Sequence, residues 1–350
     1  MNISPEKRNL SLDIARIAAV LAVIMTHCCA GYVVAAQTFS TEFILSNILD
    51  SISRVGVPMF LMISGALFLD ERKQVTLKGI LSKNVKSLAI ITVIWATVYS
   101  VAYNIVYPLR FGGDITAENV FMGILNGYEH MWYLYMIIGL YIITPFLKKI
   151  VCKENKDMVF AFIVISFAVQ FLIPSVSALC SHFANIDFIE DWVSKFNLDF
   201  FGGYITYFLT GWYVINIGFT KRSKYILYAV GVVSLVSIIL HTQLTGSYIE
   251  VYKNIGVPVF LCSVAVFVFL TDINYHFNEK TEKVLITFSK LTFGVYIIHM
   301  LILNFFTLLF TVEIPFALYI AVCFVMCTVA SFAAAYVISK IPVLKKLIKA

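Results

Sequence analysis

Ten apolar runs recur along this chain of 350 residues, and they constrain it more than any other feature. They cover 11–32, 53–69, 87–107, 129–146, 158–175, 202–219, 225–242, 255–271, 287–310 and 315–338. An apolar helix needs about 20 residues to cross about 30 Å of hydrocarbon, and most of these runs reach or approach that length. They do not alternate as barrel strands do. Lipid tolerates only helices and closed barrels, because unpaired backbone groups are costly there. The expectation is an all-α polytopic membrane protein, a bundle of about ten transmembrane helices. Composition agrees: 60% of residues are hydrophobic and 13% charged, where a soluble domain carries about 25% charge. A secreted lipid carrier would need amphipathic stripes, and these runs are apolar all round. Nor is the first run a signal peptide, since no polar mature domain follows it.

The segments between the runs give the orientation. If every second one is cytoplasmic, starting with the N-terminus, that side holds 21 of the 26 Lys and Arg residues. The other side holds Arg54, Arg110, Lys195 and Lys253, and Arg16 lies inside the first run. Such a bias places both termini in the cytoplasm. It also explains the net charge of +6 without a nucleic acid partner. The longest outer segments, 33–52, 108–128 and 176–201, read as solvated loops or as the mouth of an outer site; Asp187, Glu190, Asp191 and Trp192 fall in the last. The basic inner segment 70–86 reads as an interfacial helix. The expected organisation is one transmembrane domain over 1–350 with no appended soluble domain.

Ionisable groups inside a span are costly and usually face a cavity or a partner. The first run holds Asp13, Arg16 and His27. Eleven steps of about 100° bring Arg16 and His27 to within about 20° of one face, about 16 Å apart along the axis. Asp13 is three residues before Arg16, close enough to pair with it; an ordinary structural pair near the interface is the competing reading. His27 is too deep for a capping or surface role. His130, Trp132 and Tyr133 open the fourth run, where an aromatic belt would serve equally well. His299 sits mid-run and could simply bond between helices. The His and Cys residues match no metal spacing, and there is no phosphate-binding loop, dinucleotide fingerprint or serine-nucleophile elbow.

Four blocks carry a resemblance: LDIARIAAVLAVIMTH (12–27), RVGVPMFLMISGALFL (54–69), HMWYLYMIIGLYIITP (130–145) and FSKLTFGVYIIHMLIL (288–303). In this order the chain resembles acyltransferase family 3, the bacterial integral membrane O-acyltransferases that acylate surface polysaccharides. The resemblance implies transfer of an acyl group, usually acetyl, from cytoplasmic acyl-CoA to a hydroxyl of a glycan or lipid-linked sugar at the outer side. Acetyl-CoA would be the co-substrate, with no metal. The location implied is the bacterial cytoplasmic (inner) membrane, with lipid around the chain and a homo-oligomer left open. Carried over, His27 and His130 are catalytic. Arg16, Asp13, Gly56, Pro58, Ser64 and Gly65 serve the donor, and Trp132, Tyr133 and His299 the acceptor. A neutral imidazole can take the proton of a sugar hydroxyl as it attacks a thioester. Cys28 is about 100° from His27 around the helix, a poor position for a covalent relay. Two rivals remain: a transporter of a small polar solute such as serine, and an inert membrane scaffold.

Overall fold

The protein's structure, a computed structural model, describes residues 8–180, 195–196, 202–249, 251–309 and 313–349. These residues are helical throughout their regular parts, with no strand among them. Helix α1 (Leu10–Ala35) begins where the Asn9 side chain accepts the backbone N–H groups of Ser11 and Leu12, satisfying two of the donors that a helix start leaves free. It runs through the centre of the bundle. α2 (Thr41–Ser53), α3 (Gly56–Phe68), α10 (Val257–Asp272), α11 (Glu279–Leu309) and α12 (Phe316–Lys340) all pack on it.

Eight helices among the described residues are long and apolar enough to cross a membrane. Two of the ten expected crossings correspond to shorter helices: α8 (Gly203–Asn216), with 14 residues, and α10, with 16. At 1.5 Å per residue these extend about 21 and 24 Å. The other helices are α4 (Leu77–Phe111), α5 (Ala117–Asn126), α6 (Trp132–Ile150), α7 (Lys156–Phe167, running on in wider turns to Leu172) and α9 (Lys221–Thr245). Large apolar side chains line the outer faces, Val232 and Val233 of α9 and Val329 of α12 among them. Such rows suit contact with lipid.

The second crossing differs from the sequence reading. The segment 33–52 is no loop over most of its length: α2 occupies 41–53 and, with α3, makes one broken apolar span, Thr41–Phe68. A solvated loop would leave its polar residues in water, yet Ser46, Asn47, Asp50 and Ser51 are fully buried. α2 turns them toward α1 and α9, where Ser51 donates to Asn47 and Asn47 to the Ile239 carbonyl. Segment 108–128 likewise contains the helix α5, tied to α4 by Ser100 donating to the Val120 carbonyl at 2.7 Å. The inner segment 70–86 becomes helical from Leu77 and leads straight into α4. Asp187, Glu190, Asp191 and Trp192 lie outside the described residues.

Close helix crossings rest on glycine. A Cβ on Gly65 would strike the Phe208 backbone of α8, and one on Gly211 the Met62 backbone of α3. Small residues at both positions let the two backbones meet, the usual packing device within a bilayer. Gly65 thus holds α3 against α8. Gly56 does the same toward α1: its Cβ would lie 2.9 Å from the Ala19 carbonyl oxygen and from Val23 Cγ2.

Candidate active site

The site is assembled from three helices that are far apart in the sequence. His27 projects from α1, His130 from the tight turn Glu129–Met131 that starts α6, and His299 from the middle of α11. The ring centres of His27 and His299 are 5.2 Å apart, those of His130 and His299 5.2 Å, and those of His27 and His130 6.4 Å. His130 and His299 are buried and His27 is partly accessible. Tyr296, one turn before His299, donates its hydroxyl to the His130 carbonyl and so fixes the start of α6 against α11. The Tyr296 carbonyl lies 2.6 Å from His299 Nδ1. In the neutral ring this contact puts the proton on Nδ1 and leaves Nε2 as an acceptor.

The imidazoles are short of partners. Both nitrogens of His130 and Nε2 of His299 are buried without a hydrogen bond. Buried polar groups are normally satisfied, and three nitrogens left without a partner gather in this one cluster. An aromatic wall closes one side. Tyr99, Tyr128 and Tyr103 stack nearly parallel, and the Tyr99 ring lies 5.0 Å from that of His130. Asn304 ties the hydroxyls of Tyr103 and Tyr128 together.

At the other end of α1 the expected Asp13–Arg16 pair gives way to a different one. Asp13 is buried and bound by Arg8, Nε to Oδ2 at 2.5 Å and Nη2 to Oδ1 at 2.6 Å, and by the Ser289 hydroxyl at 2.5 Å. Arg8 arrives from before the helix and offers both Nε and Nη2 to the carboxylate. Arg16 has no hydrogen-bond partner among the described residues, although Asp13 acts on it electrostatically. It lies near the phenols of Tyr133 and Tyr141, and the Ser64 hydroxyl lies against both. Lys73 is close enough to feel its charge. Partial burial pushes the Lys73 ammonium pKa down against the pull of Asp70, and the charges of Arg16 and Arg72 add to the depression. The result is a guanidinium without a hydrogen-bond partner among the described residues, with a second cation within electrostatic range.

Of the remaining expected residues, Tyr133 joins the cluster through Tyr296, ring centres 5.4 Å apart. Trp132 does not; it is partly exposed and packs on Tyr204 at 5.7 Å. Pro58 is buried in the first turn of α3, and Gly56 and Gly65 serve the helix contacts described above. Among the described residues no group of three or more His, Cys, Asp or Glu side chains is arranged to hold a metal ion.

The family profile described as an acyltransferase domain matches residues 9–336, almost the whole chain. The chain belongs to acyltransferase family 3. Neither a curated protein nor a solved structure matches it. It is therefore a polytopic membrane protein of an acyltransferase family, and its buried histidines are to be read in the light of acyl transfer. Four residues that make these networks are not singled out by spacing or composition. Arg8 looked like an ordinary flanking charge. Tyr296 looked like one more apolar-run aromatic. Asp50 falls in the outer segment 33–52 and Arg54 at the start of the second run, although a spacing of four residues is itself a pairing signal.

Proposed function

We propose that this protein transfers an acyl group, most simply acetyl, from cytoplasmic acyl-CoA to a hydroxyl of a cell-surface glycan or lipid-linked sugar, with His27 as general base. One observation carries the reading: a partly accessible imidazole stands beside two buried ones with unsatisfied nitrogens, on the helix that also bears Arg16. CoA is anionic at its nucleotide end, which suits Arg16 and Lys73. The span from Arg16 to His27, about 16 Å, is comparable with an extended pantetheine arm. The thioester would then reach the histidines while the nucleotide stays at the inner face. His299, with its tautomer set by the Tyr296 carbonyl, can accept from His27 and leave that ring's other nitrogen free to take the acceptor's proton. Tyr133 and Ser64 would flank the donor channel.

In this reading the chain crosses a bacterial inner membrane ten times, α8 and α10 included, with both termini cytoplasmic. The bias of basic residues supports that orientation. A cysteine at Asp114 should react with an impermeant reagent in intact cells, and cysteines at Lys153 and Arg222 should not; the reverse pattern would invert the arrangement. Function is tested with membranes supplied with acetyl-labelled acetyl-CoA. Label should enter the glycan fraction with the unaltered chain and not with His27→Gln. Equal labelling by both would remove His27 from the chemistry, and no labelling by either would favour the alternative, transport of a small polar solute.

A further inference from the structure

The break between α2 and α3 lies beside the histidine cluster, and its chemistry is not used by the reaction as described so far. Thr26, adjacent to His27, shares a hydrogen bond of 2.8 Å with Ser53, adjacent to Arg54. Gly56 packs the start of α3 onto Ala19 and Val23, one turn before His27. The break is thus fixed at the level of that histidine along α1. At it stands Arg54, whose Nη2 donates to Asp50 Oδ2 at 2.5 Å. The Asp50 side chain is completely buried and that of Arg54 is 22% exposed. The guanidinium also lies over the Tyr252 ring, 4.3 Å from its centre. Tyr252 in turn donates to Asn47 Oδ1 at 2.7 Å, and Asn47 Nδ2 donates to the Ile239 carbonyl at 3.0 Å. The cation is therefore held on two sides, by the Asp50 carboxylate and by a tyrosine ring that is itself held through Asn47.

It is not saturated. Arg54 Nε is buried without a partner, as are Asp50 Oδ1 and Ser46 Oγ on the same helix and Thr242 Oγ1 and Gln243 Nε2 on α9. Of 11 buried side-chain atoms left without a partner among the described residues, these are five and the histidine cluster supplies three. A structural ion pair is expected to satisfy its hydrogen-bonding groups, since taking charges out of water is otherwise costly. Here a buried carboxylate fixes a guanidinium that keeps donors and some accessible surface free, within electrostatic range of His27.

We propose that Arg54 is a catalytic residue that receives the oxyanion of the acyl-transfer intermediate, and that Asp50 is its positioning residue. This rests on the acyltransfer reading above. The acceptor oxygen attacks the thioester carbonyl carbon, and its proton passes to His27. The carbonyl electron pair moves onto oxygen, and an Arg54 N–H bonds that oxyanion. Collapse re-forms the carbonyl and breaks the carbon–sulfur bond. The CoA thiolate leaves with the proton returned by His27, giving an ester and free CoA. A donor fixed before the charge develops needs no reorganisation when it does, which is why such donors commonly contribute about 10²- to 10³-fold in rate.

The same oxyanion forms when water is the nucleophile, so the test needs no identified acceptor. The purified full-length chain in detergent is given labelled acetyl-CoA, and acetate release and acetyl-CoA binding are both measured. Arg54→Gln should lower kcat about 100-fold or more and change acetyl-CoA affinity less than about threefold. Guanidinium ion added to Arg54→Ala should restore part of the lost rate and should do nothing for His27→Gln. The double variant Asp50→Asn/Arg54→Gln removes the pair without stranding a charge. If the pair only holds the fold, this variant should recover activity; on the present proposal it stays as slow as Arg54→Gln while still binding acetyl-CoA. Near-normal kcat in Arg54→Gln, or recovery in the double variant, overturns the role of Arg54 and leaves His27 untouched. Acetate release by the unaltered chain no faster than by His27→Gln overturns the acyltransfer reading itself, and this proposal with it.

Discussion

The two halves of α1 treat polar groups in opposite ways. Near its start, Asp13 is buried and fully engaged by Arg8 and Ser289. Further along, His27 stands with His130 and His299, where three ring nitrogens are buried without partners. Both places are expensive for polar atoms, yet only one is satisfied from within. A satisfied buried network rigidifies a fold, and an unsatisfied one is stable only if something else completes it or if the cost is offset elsewhere. On the proposed function, the contrast gives Asp13 a structural role and the histidines the chemistry, with Arg16 between them on the inner side and without a hydrogen-bond partner among the described residues.

The sharpest way to break this contrast is His27→Gln. Glutamine keeps hydrogen-bonding ability and loses the base, and general-base catalysis contributes about 10²- to 10⁴-fold. Acetyl transfer should fall by about 10³-fold with acetyl-CoA binding nearly unchanged. Retention of more than about a tenth of the turnover would make His27 structural and move attention to His130.

A smaller loss should follow from His299. Its Nδ1 is committed to the Tyr296 carbonyl, so its contribution passes through Nε2. Glutamine can place an acceptor near the Nε2 position, whereas asparagine reproduces only the Nδ1 side. His299→Asn should therefore lose about tenfold more kcat than His299→Gln, with similar thermal stability. Equal activities would indicate that the ring merely fills space.

How much of this could be read from the sequence depends on whether a helix is continuous. α1 is unbroken over Leu10–Ala35, so the eleven-residue interval from Arg16 to His27 translates directly into one face. His130 and His299 stood out individually because they interrupt apolar runs, but only tertiary packing brings α6 and α11 to α1. The second crossing was hidden for the converse reason. Its polar residues, Asn47, Asp50, Ser51 and Arg54, lower the local hydropathy until the outer half resembles a loop, and the break near Arg54 ends any single period. The Asp13 partner was misread because residues within a helix are easily compared by spacing. Arg8 lies in the non-helical entry, whose direction no spacing rule gives.

Arg16 tests the inner end. If it and Lys73 meet the CoA phosphates, Arg16→Ala should weaken acetyl-CoA binding about tenfold, with kcat at saturation within about threefold. Lys73→Ala should act in the same direction and less strongly, since that side chain is exposed and water screens its charge. Raised salt should weaken binding to the unaltered chain more than to Arg16→Ala, because one charge contact has already gone. A fall in kcat with unchanged binding would move Arg16 from the donor site into the chemistry.

The mildest change should be Asp13→Asn, and it bears most directly on the contrast. The carboxylate accepts from Arg8 and from Ser289. An amide of the same shape can still accept at one atom, but it presents a donor at the other and no longer carries charge. Arg8 is 41% exposed at its side chain, so water can solvate the released guanidinium and the lost attraction is partly screened. The expected cost is about 1–2 kcal/mol of stability, seen as a lower unfolding temperature in detergent, with turnover and acetyl-CoA affinity within about threefold of the unaltered chain. The opposite split is informative. Unchanged stability with acetyl-CoA affinity reduced as far as in Arg16→Ala would mean that Asp13 acts on the donor through Arg16. The inner end of α1 would then be a binding device on both of its charges, and the line between structure and chemistry would have to be drawn below Asp13.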